Sequence, residues 1–208
     1  MTRIKLCGFT READVRAALD LGVDAIGLNF ARGPRRIAPE LGAILARLAA
    51  PYAVTAALFV DADEALIRSV LAMTRCGSVQ LHGDEPPELA ERLRRDLPVV
   101  KAARIASRDD LLRLRGYPAD AFLLDAAVSG SHGGTGTAWD HGLLAGVDLG
   151  APVVLAGGLN PANVAAAVRA VRPYAVDAAS GVEASPGLKD PARMAAFVAA
   201  VRSATSAS

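Results

Sequence analysis

The alternation of short apolar runs with amphipathic segments constrains the fold of this chain more than any other feature. Eight runs favour Val, Ile and Leu and seldom alternate with polar residues. Such runs are typical of strands that are buried on both faces of a parallel sheet. They cover residues 4–6, 25–30, 54–60, 78–81, 99–102, 121–124, 153–156 and 175–178.

The segments between these runs carry helical periodicity and helix-start patterns. Residues 41–48 place leucine and isoleucine at the i, i+3, i+4, i+7 spacing of an amphipathic helix. Residues 107–110 resemble a capping box, and Thr10 is expected to cap the first helix. Asn160 and Asp190 each precede a proline, which predicts a helix that begins at that proline.

Eight strand–helix units of about 24 residues each need about 190 residues, and the chain has 208. This arithmetic predicts an α/β fold, a single (β/α)8 TIM barrel over residues 1–208. The alternative is a doubly wound open sheet, which usually has five or six strands. The sixth unit has the weakest pattern, with a glycine-rich loop at residues 130–136 before a short helix near Trp139. Residues 203–208 are expected to form a disordered tail.

Composition excludes several functional classes. The net charge of +1 does not favour nucleic-acid binding. No apolar run approaches the ~20 residues of a membrane span, and the first residues lack the apolar core of a signal peptide. Two cysteines, Cys7 and Cys76, are too few for a disulfide framework in a chain of this size. We therefore expect a cytoplasmic protein that contacts neither nucleic acid nor a membrane.

Catalytic candidates lie where the predicted strands end, because barrel enzymes carry their active sites there. Cys7 follows the first run, and Lys5 should share its inward face, where an ammonium favours thiolate. Asp125 ends the sixth run, and burial could raise its pKa enough for general acid or base chemistry. The alternatives are that Cys7 is a small buried apolar residue and that Asp125 caps the glycine-rich loop.

Two glycine-containing pairs, one after each of the last two apolar runs, indicate a phosphate site. Gly157 and Gly158 follow the seventh run, and Ser180 and Gly181 follow the eighth. Loops after these two strands, near a helix N-terminus, commonly bind phosphate in this fold. Each pair could also be an ordinary turn.

Other polar residues at the strand ends are expected to contact a ligand. One of Arg35 and Arg36 could bind a carboxylate through a two-point hydrogen bond, although a solvated basic loop is the common alternative. Substrate contacts are also predicted for Lys5, Gln80, His82 and Asp177, although a histidine such as His82 is more often structural. The histidines and cysteines lack zinc-site spacing, so no metal is expected.

Together these residues resemble the phosphoribosylanthranilate isomerase family over nearly the whole chain. The shared motifs are IKLCG at 4–8, VQLHGDE at 79–85, LD at 124–125, GGTG at 133–136, LAGGLNP at 155–161, and SGVE with PGLKD at 180–190. The sequence departs from the family pattern in three places, namely Pro34-Arg35-Arg36 in the arginine loop, Ala179 in place of a frequent serine, and residues 139–141.

The resemblance implies an Amadori rearrangement of a phosphorylated aminoaldose to a ketose, without a cofactor. It implies that Cys7 is the general base, Asp125 the general acid, and Arg36 the residue that binds the anthranilate carboxylate. The expected partner is the small phosphorylated substrate, and the chain is expected to be a monomer or homodimer. The rivals are a histidine-pathway aminoaldose isomerase, which carries aspartate at the position of Cys7, and a phosphate-binding barrel without catalysis.

Overall fold

Eight parallel strands close into a barrel in the computed structural model, which describes residues 1–126, 141–144 and 146–206. Each strand pairs with its sequence neighbours, and β1 also pairs with β8 to close the ring. The predicted (β/α)8 barrel is therefore confirmed. The strands are β1 Arg3–Cys7, β2 Ala25–Asn29, β3 Val54–Phe59, β4 Ser78–Leu81, β5 Val99–Ile105, β6 Ala121–Ala126, β7 Val153–Ala156 and β8 Ala175–Ala178.

Helices surround the barrel in the described residues. They are α1 Glu12–Asp20, α2 Pro39–Ala49, α3 Glu64–Thr74, α4 Pro87–Leu93, α5 Arg108–Arg113, α6 Val164–Val171 and α7 Pro191–Ser206. Short 3-10 helices cover His141–Leu144 and Ser180–Val182, and β9 Glu183–Ser185 pairs with β10 Leu188–Lys189 in a hairpin after β8. The predicted glycine-rich loop at 130–136 and the helix start near Trp139 lie outside the described residues. No helix in the described part of the chain is long and apolar enough to span a membrane.

Two of the predicted helix starts are confirmed. Ser107 and Asp110 form a capping box at α5, since each side chain accepts a hydrogen bond from the other residue's backbone N–H. Asp190 accepts hydrogen bonds from the backbone of the first turn of α7, which begins at Pro191 as predicted.

Two other helix starts differ from the prediction because the polar side chain bonds elsewhere. The Thr10 hydroxyl donates to the Gly187 carbonyl, 2.6 Å away, and leaves α1 without a side-chain cap. The Asn160 side chain closes a local turn onto the Ala162 backbone, so α6 starts only at Val164. Asparagine competes for backbone hydrogen bonds in this way, which favours a turn over a helix start.

The disorder predicted from Ser203 is not observed in the part of the tail that is described. Helix α7 continues to Ser206. The reason is that Val201 and Ala204 are fully buried against the barrel and extend the apolar stripe of the helix.

The barrel interior contains mostly small side chains. Alanines and valines from β5 to β8 form a buried cluster there. A cavity of about 500 Å³ opens at the N-terminal end of the barrel and reaches up to Lys5 and Gln80. The predicted site lies at the opposite, C-terminal end of the barrel.

Candidate active site at the C-terminal end of the barrel

Cys7 and Lys5 lie on the inner face of β1, as predicted. Lys5 Nζ is 2.9 Å from Asp177 Oδ2 on the adjacent strand β8, and its charge also acts on the Cys7 thiol. Burial would lower the pKa of Lys5, but the charge of Asp177 and the neighbouring thiol raise it above its ordinary value. The structure therefore holds a permanent ammonium group beside the cysteine.

Burial dominates the environment of Cys7, which is only 6% exposed. Loss of solvent raises the pKa of the thiol, Lys5 and Lys189 lower it, and the negative charge of Asp177 raises it again. The net pKa is above the ordinary value. The sequence left open whether desolvation or Lys5 prevails, and the structure shows that desolvation does.

Gly27, which sequence reasoning did not single out, makes room for this thiol. It lies beside Cys7 in the register of β1 and β2. A Cβ atom on Gly27 would lie 3.0 Å from Cys7 Cβ, 3.1 Å from Cys7 Cα, and closer still to Sγ. The absence of a side chain at Gly27 thus determines where the sulfur can sit. A glycine inside an apolar strand is the sequence pattern that marks such a close approach.

Asp125 lies near the C-terminal end of β6, and its carboxyl group faces His82. Its Oδ2 atom is 3.9 Å from His82 Nε2, and the side chain is 34% exposed. Burial raises the pKa of Asp125, although His82 and Arg104 oppose the shift. A raised pKa suits a group that must hold a proton until the substrate takes it.

Gln80 orients His82 from within β4. Gln80 Nε2 is 3.0 Å from His82 Nδ1. With the amide nitrogen placed on this side, the His82 tautomer that accepts at Nδ1 carries its hydrogen on Nε2, the side of Asp125. Burial lowers the pKa of His82, so the ring that faces Asp125 is neutral.

The two glycine loops after β7 and β8 come together. Gly157 and Gly158 both adopt positive φ angles, 85° and 64°, that disfavour other residues. A side chain on Gly181 would collide with the Leu159 carbonyl, which shows how closely the loops approach each other. Ser180 is exposed at the start of the 3-10 helix. Both predicted phosphate-binding pairs therefore lie on loops that adjoin each other.

Arg35 and the predicted Arg36 both lie in the loop after β2, with different partners. Arg36 is exposed and pairs through its backbone with Asn29. Arg35, the residue before it, lies in a turn and is partly buried. Its side chain covers Gly8, where a Cβ atom would lie 3.3 Å from Arg35 Cγ and Nε. The guanidinium forms a two-point ion pair with Glu183, with contacts of 2.9 and 2.6 Å.

A buried carboxylate that the sequence analysis missed fixes the loop that carries His82. Glu85 accepts hydrogen bonds from the backbone of Asp61, 3.1 Å away, and of Gly83, 2.9 Å away. Lys101 lies within β5, and its Nζ atom is 2.7 Å from Glu85 Oε2. A lysine inside an apolar run requires a buried partner. Lys101 was therefore the sequence signal that could have predicted a buried carboxylate such as Glu85.

The fold and site define the class of protein, namely an acid–base enzyme of the (β/α)8 barrel type with a raised-pKa thiol, a raised-pKa carboxyl group and two adjoining glycine loops. A sequence model of the N-(5'phosphoribosyl)anthranilate (PRA) isomerase family matches residues 4–200. The chain belongs to this family and is an isomerase.

Relatives and solved structures agree with this assignment. The chain is 45% identical over 207 residues to the N-(5'-phosphoribosyl)anthranilate isomerase of Myxococcus xanthus, covering 97% of this chain and 96% of that protein. It is 47% identical over 204 residues to a Pseudomonas aeruginosa protein of the same name, with 97% and 95% covered. The crystal structure of phosphoribosyl anthranilate isomerase from Thermotoga maritima superimposes with a TM-score of 0.90 at 35% identity, covering 98% and 100% of the two chains.

Proposed function

We propose that this chain converts N-(5-phosphoribosyl)anthranilate into 1-(2-carboxyphenylamino)-1-deoxyribulose 5-phosphate, an Amadori rearrangement in tryptophan biosynthesis. The observation that carries the proposal is the placement of Cys7 and Asp125 at one end of the barrel. Burial raises the pKa of both groups, which keeps Asp125 protonated as an acid and makes the Cys7 thiolate, once formed, a stronger base. A solved phosphoribosyl anthranilate isomerase with 33% identity and a TM-score of 0.87 was crystallised with the reduced form of this product.

Asp125 acts as the general acid. Its proton goes to the furanose ring oxygen, the bond between that oxygen and the anomeric carbon breaks, and the nitrogen lone pair forms a Schiff base. The neutral His82 donates its Nε2 hydrogen toward the carboxylate that remains, which stabilises the charge that develops there. Gln80 acts through His82 by keeping the ring in the tautomer that can donate.

Cys7 acts as the general base. Its thiolate removes the C2′ proton, and the electrons of the broken C2′–H bond form the enolamine and neutralise the protonated Schiff base. Proton transfer to C1′, with loss of the proton of the C2′ hydroxyl, then gives the ketose. The substrate gains protons at the ring oxygen and C1′ and loses one from C2′ and one from its hydroxyl, so the two gains balance the two losses. Lys5 stabilises the thiolate, and Asp177 holds Lys5 in position from the adjacent strand.

Polar contacts at the mouth would orient the substrate. We assign the phosphate to the backbone amides of Gly157, Gly158, Ser180 and Gly181, whose loops adjoin each other. Asp177 Oδ1 is buried without a hydrogen-bond partner in the described residues, so we assign it a substrate hydroxyl. We keep the predicted role of Arg36, which is exposed in the loop after β2, as the residue that binds the substrate carboxylate.

We infer that the enzyme works in the cytoplasm. Cys7 and Cys76 are both free thiols, which suits a reducing compartment. The expectation of a monomer or homodimer stays a prediction. Among the related structures, one describes engineered monomers of a dimeric isomerase from Thermotoga maritima.

Turnover of the fluorescent substrate, made in situ from anthranilate and phosphoribosyl pyrophosphate by the upstream transferase, tests the proposal. We expect Cys7→Ala and Asp125→Asn each to lose at least ~100-fold in kcat, the usual contribution of a general acid or base. Cys76→Ala is the matched control, because Cys76 is also a buried thiol but lies before β4, away from the strand ends. A wild-type protein that binds phosphate but does not accelerate loss of fluorescence would support the non-catalytic rival.

A further inference from the structure

Lys189 is a fully buried ammonium group whose three hydrogens all have acceptors. Its side chain is 0% exposed, and Nζ lies 2.9 Å from Glu183 Oε1, 2.5 Å from the Cys7 carbonyl oxygen and 3.2 Å from the Ala179 carbonyl oxygen. Only the protonated form of lysine has three hydrogens to donate. Burial lowers the pKa of Lys189, and the charge of Glu183 opposes that shift. The geometry therefore holds a cation between the end of β1 and the loop after β8.

The backbone of Lys189 is fixed as well. Its N–H donates to Asp14 Oδ2 of α1, 3.1 Å away, and Asp14 is buried. Strand β10 pairs with β9 at Glu183, and the centroid of the Phe9 ring lies 5.4 Å from Nζ. Because both its backbone and its side chain are held in the interior, Lys189 can set the position of the groups that it contacts.

One of these groups is the peptide unit that directly follows the catalytic thiol. The carbonyl of the Cys7–Gly8 unit accepts from Lys189, and its N–H donates to the Gly27 carbonyl, 2.9 Å away on β2. The unit is therefore held at both ends. Gly8 has a φ of 84°, so the extended conformation of the strand stops immediately after the thiol. The contact with Lys189 thus determines where β1 ends.

The other group is the peptide unit that carries the Ser180 N–H, one of the donors assigned to the substrate phosphate. The Ala179–Ser180 unit is trans, so its C=O and N–H point in opposite directions. Because Lys189 holds the Ala179 carbonyl, the Ser180 N–H has a fixed direction, away from the ammonium. The positive charge at the carbonyl also polarises the unit and strengthens the N–H as a donor.

We propose that Lys189 is a positioning residue that couples the phosphate loop, residues 179–181, to the general base, because one ammonium holds the peptide unit after Cys7 and the peptide unit before Ser180. A phosphate bound at Ser180 then fixes the loop, Lys189 and the end of β1 as one assembly. Lys189 itself does not touch the substrate. This inference rests on the proposed function and deepens it, since it explains how binding of the remote phosphate contributes to proton transfer at C2′.

Calorimetry with inorganic phosphate on Lys189→Met tests the loop side of the coupling. Methionine is similar in length but has no hydrogen to donate. We expect phosphate affinity to fall several-fold, and kcat for the phosphoribosyl substrate to fall about 10-fold or more, as it does when a reacting group is misplaced. An unchanged phosphate affinity would overturn the inference.

The pH dependence of Cys7 alkylation by iodoacetamide tests the base side. A Cys76→Ala background leaves Cys7 as the only thiol. The charged groups that face this thiol are Lys5 on its own strand, Asp177 on β8, Lys189 on β10 and Arg35 in the loop after β2. Lys189 is one of the cations that lower the pKa of the thiol, so alkylation of Lys189→Met should require a higher pH. A profile identical to that of the parent protein would show that Lys189 is merely structural.

Lys101→Met is the matched control. It also removes a buried lysine from an ion pair, with Glu85, but its ammonium contacts the loop after β4 and the Gly83 carbonyl instead of β1. Phosphate affinity and the alkylation profile should both stay unchanged. The same changes in this control as in Lys189→Met would overturn the inference.

A double variant keeps the inference testable if Lys189→Met does not fold, because the single change removes a cation from the buried Glu183 carboxylate. Lys189→Met/Glu183→Gln removes both charges together and should show the same weakened phosphate binding and the same shifted alkylation. A double variant that matches the parent protein in both measurements would contradict the coupling. If the wild-type protein shows no turnover, the proposed function fails, whereas the calorimetry and the alkylation still decide this inference.

Discussion

Replacing Gly27 by alanine should inactivate the enzyme without altering any reacting group. The new methyl group would lie 3.0 Å from Cys7 Cβ and 3.1 Å from Cys7 Cα, whereas carbon atoms prefer about 3.5–4.0 Å. One of the two strands must therefore yield by roughly 0.5–1 Å, and the sulfur, which is closer still, must move with it. A shift of about 1 Å at a reacting group can cost ~100-fold in rate.

The same crowding should cost about 1–3 kcal/mol of folding free energy, as overpacking of a filled interior usually does. Turnover of the fluorescent substrate and denaturant unfolding measure the two effects separately. Gly77→Ala is the control, because its added methyl would meet Val54 Cγ1 at an ordinary 3.7 Å. Gly27→Ala protein that folds and turns over within a few-fold of wild type would refute the idea that Gly27 sets the position of the thiol.

Three further predictions concern pH, phosphate binding and stability. Burial raises the pKa of both Asp125 and Cys7, but the pKa of a carboxyl group starts far below that of a thiol. The reactive form needs Asp125 protonated and Cys7 ionised, and the fraction of this form is constant between the two pKa values. We therefore expect kcat/KM to fall below the lower pKa, that of Asp125, and above the higher one, that of Cys7. Asp125→Glu should therefore move the acidic limb, and movement of the basic limb instead would contradict this order. Gly181→Ala should push the two glycine loops apart and weaken binding of inorganic phosphate at least several-fold in calorimetry, with circular dichroism unchanged. Lys101→Met should lower the free energy of unfolding by about 3–5 kcal/mol, because it leaves the Glu85 carboxylate buried and unpaired; a loss below about 1 kcal/mol would show that the ion pair is dispensable.

The alternation of apolar runs with helical segments was sufficient to predict the barrel. Each strand is buried on both faces, so it forms a continuous apolar run in the sequence. The end of β5 was less predictable. The predicted run ends at residue 102, but the strand continues through Ile105 and includes an exposed arginine. Backbone pairing with β6 extends the strand past the point where its side chains stop being apolar.

Residues whose role depends on their own strand were predictable, and residues whose role depends on distant partners were not. Lys5 and Cys7 share a face by simple alternation, so their contact followed from spacing. The ion pair of Arg35 with Glu183 joins residues 148 positions apart. No local pattern carries that information.

The contact between Lys189 and the carbonyl of Cys7 also has a consequence for biosynthesis of the chain. The two residues are 182 positions apart, and a ribosome makes the N-terminal one first. Until residue 189 has been synthesised and has reached the barrel, the end of β1 lacks this anchor and Glu183 lacks its lysine. The first strand must therefore wait for nearly the whole chain before its cysteine can work, and incomplete translation products are expected to be inert.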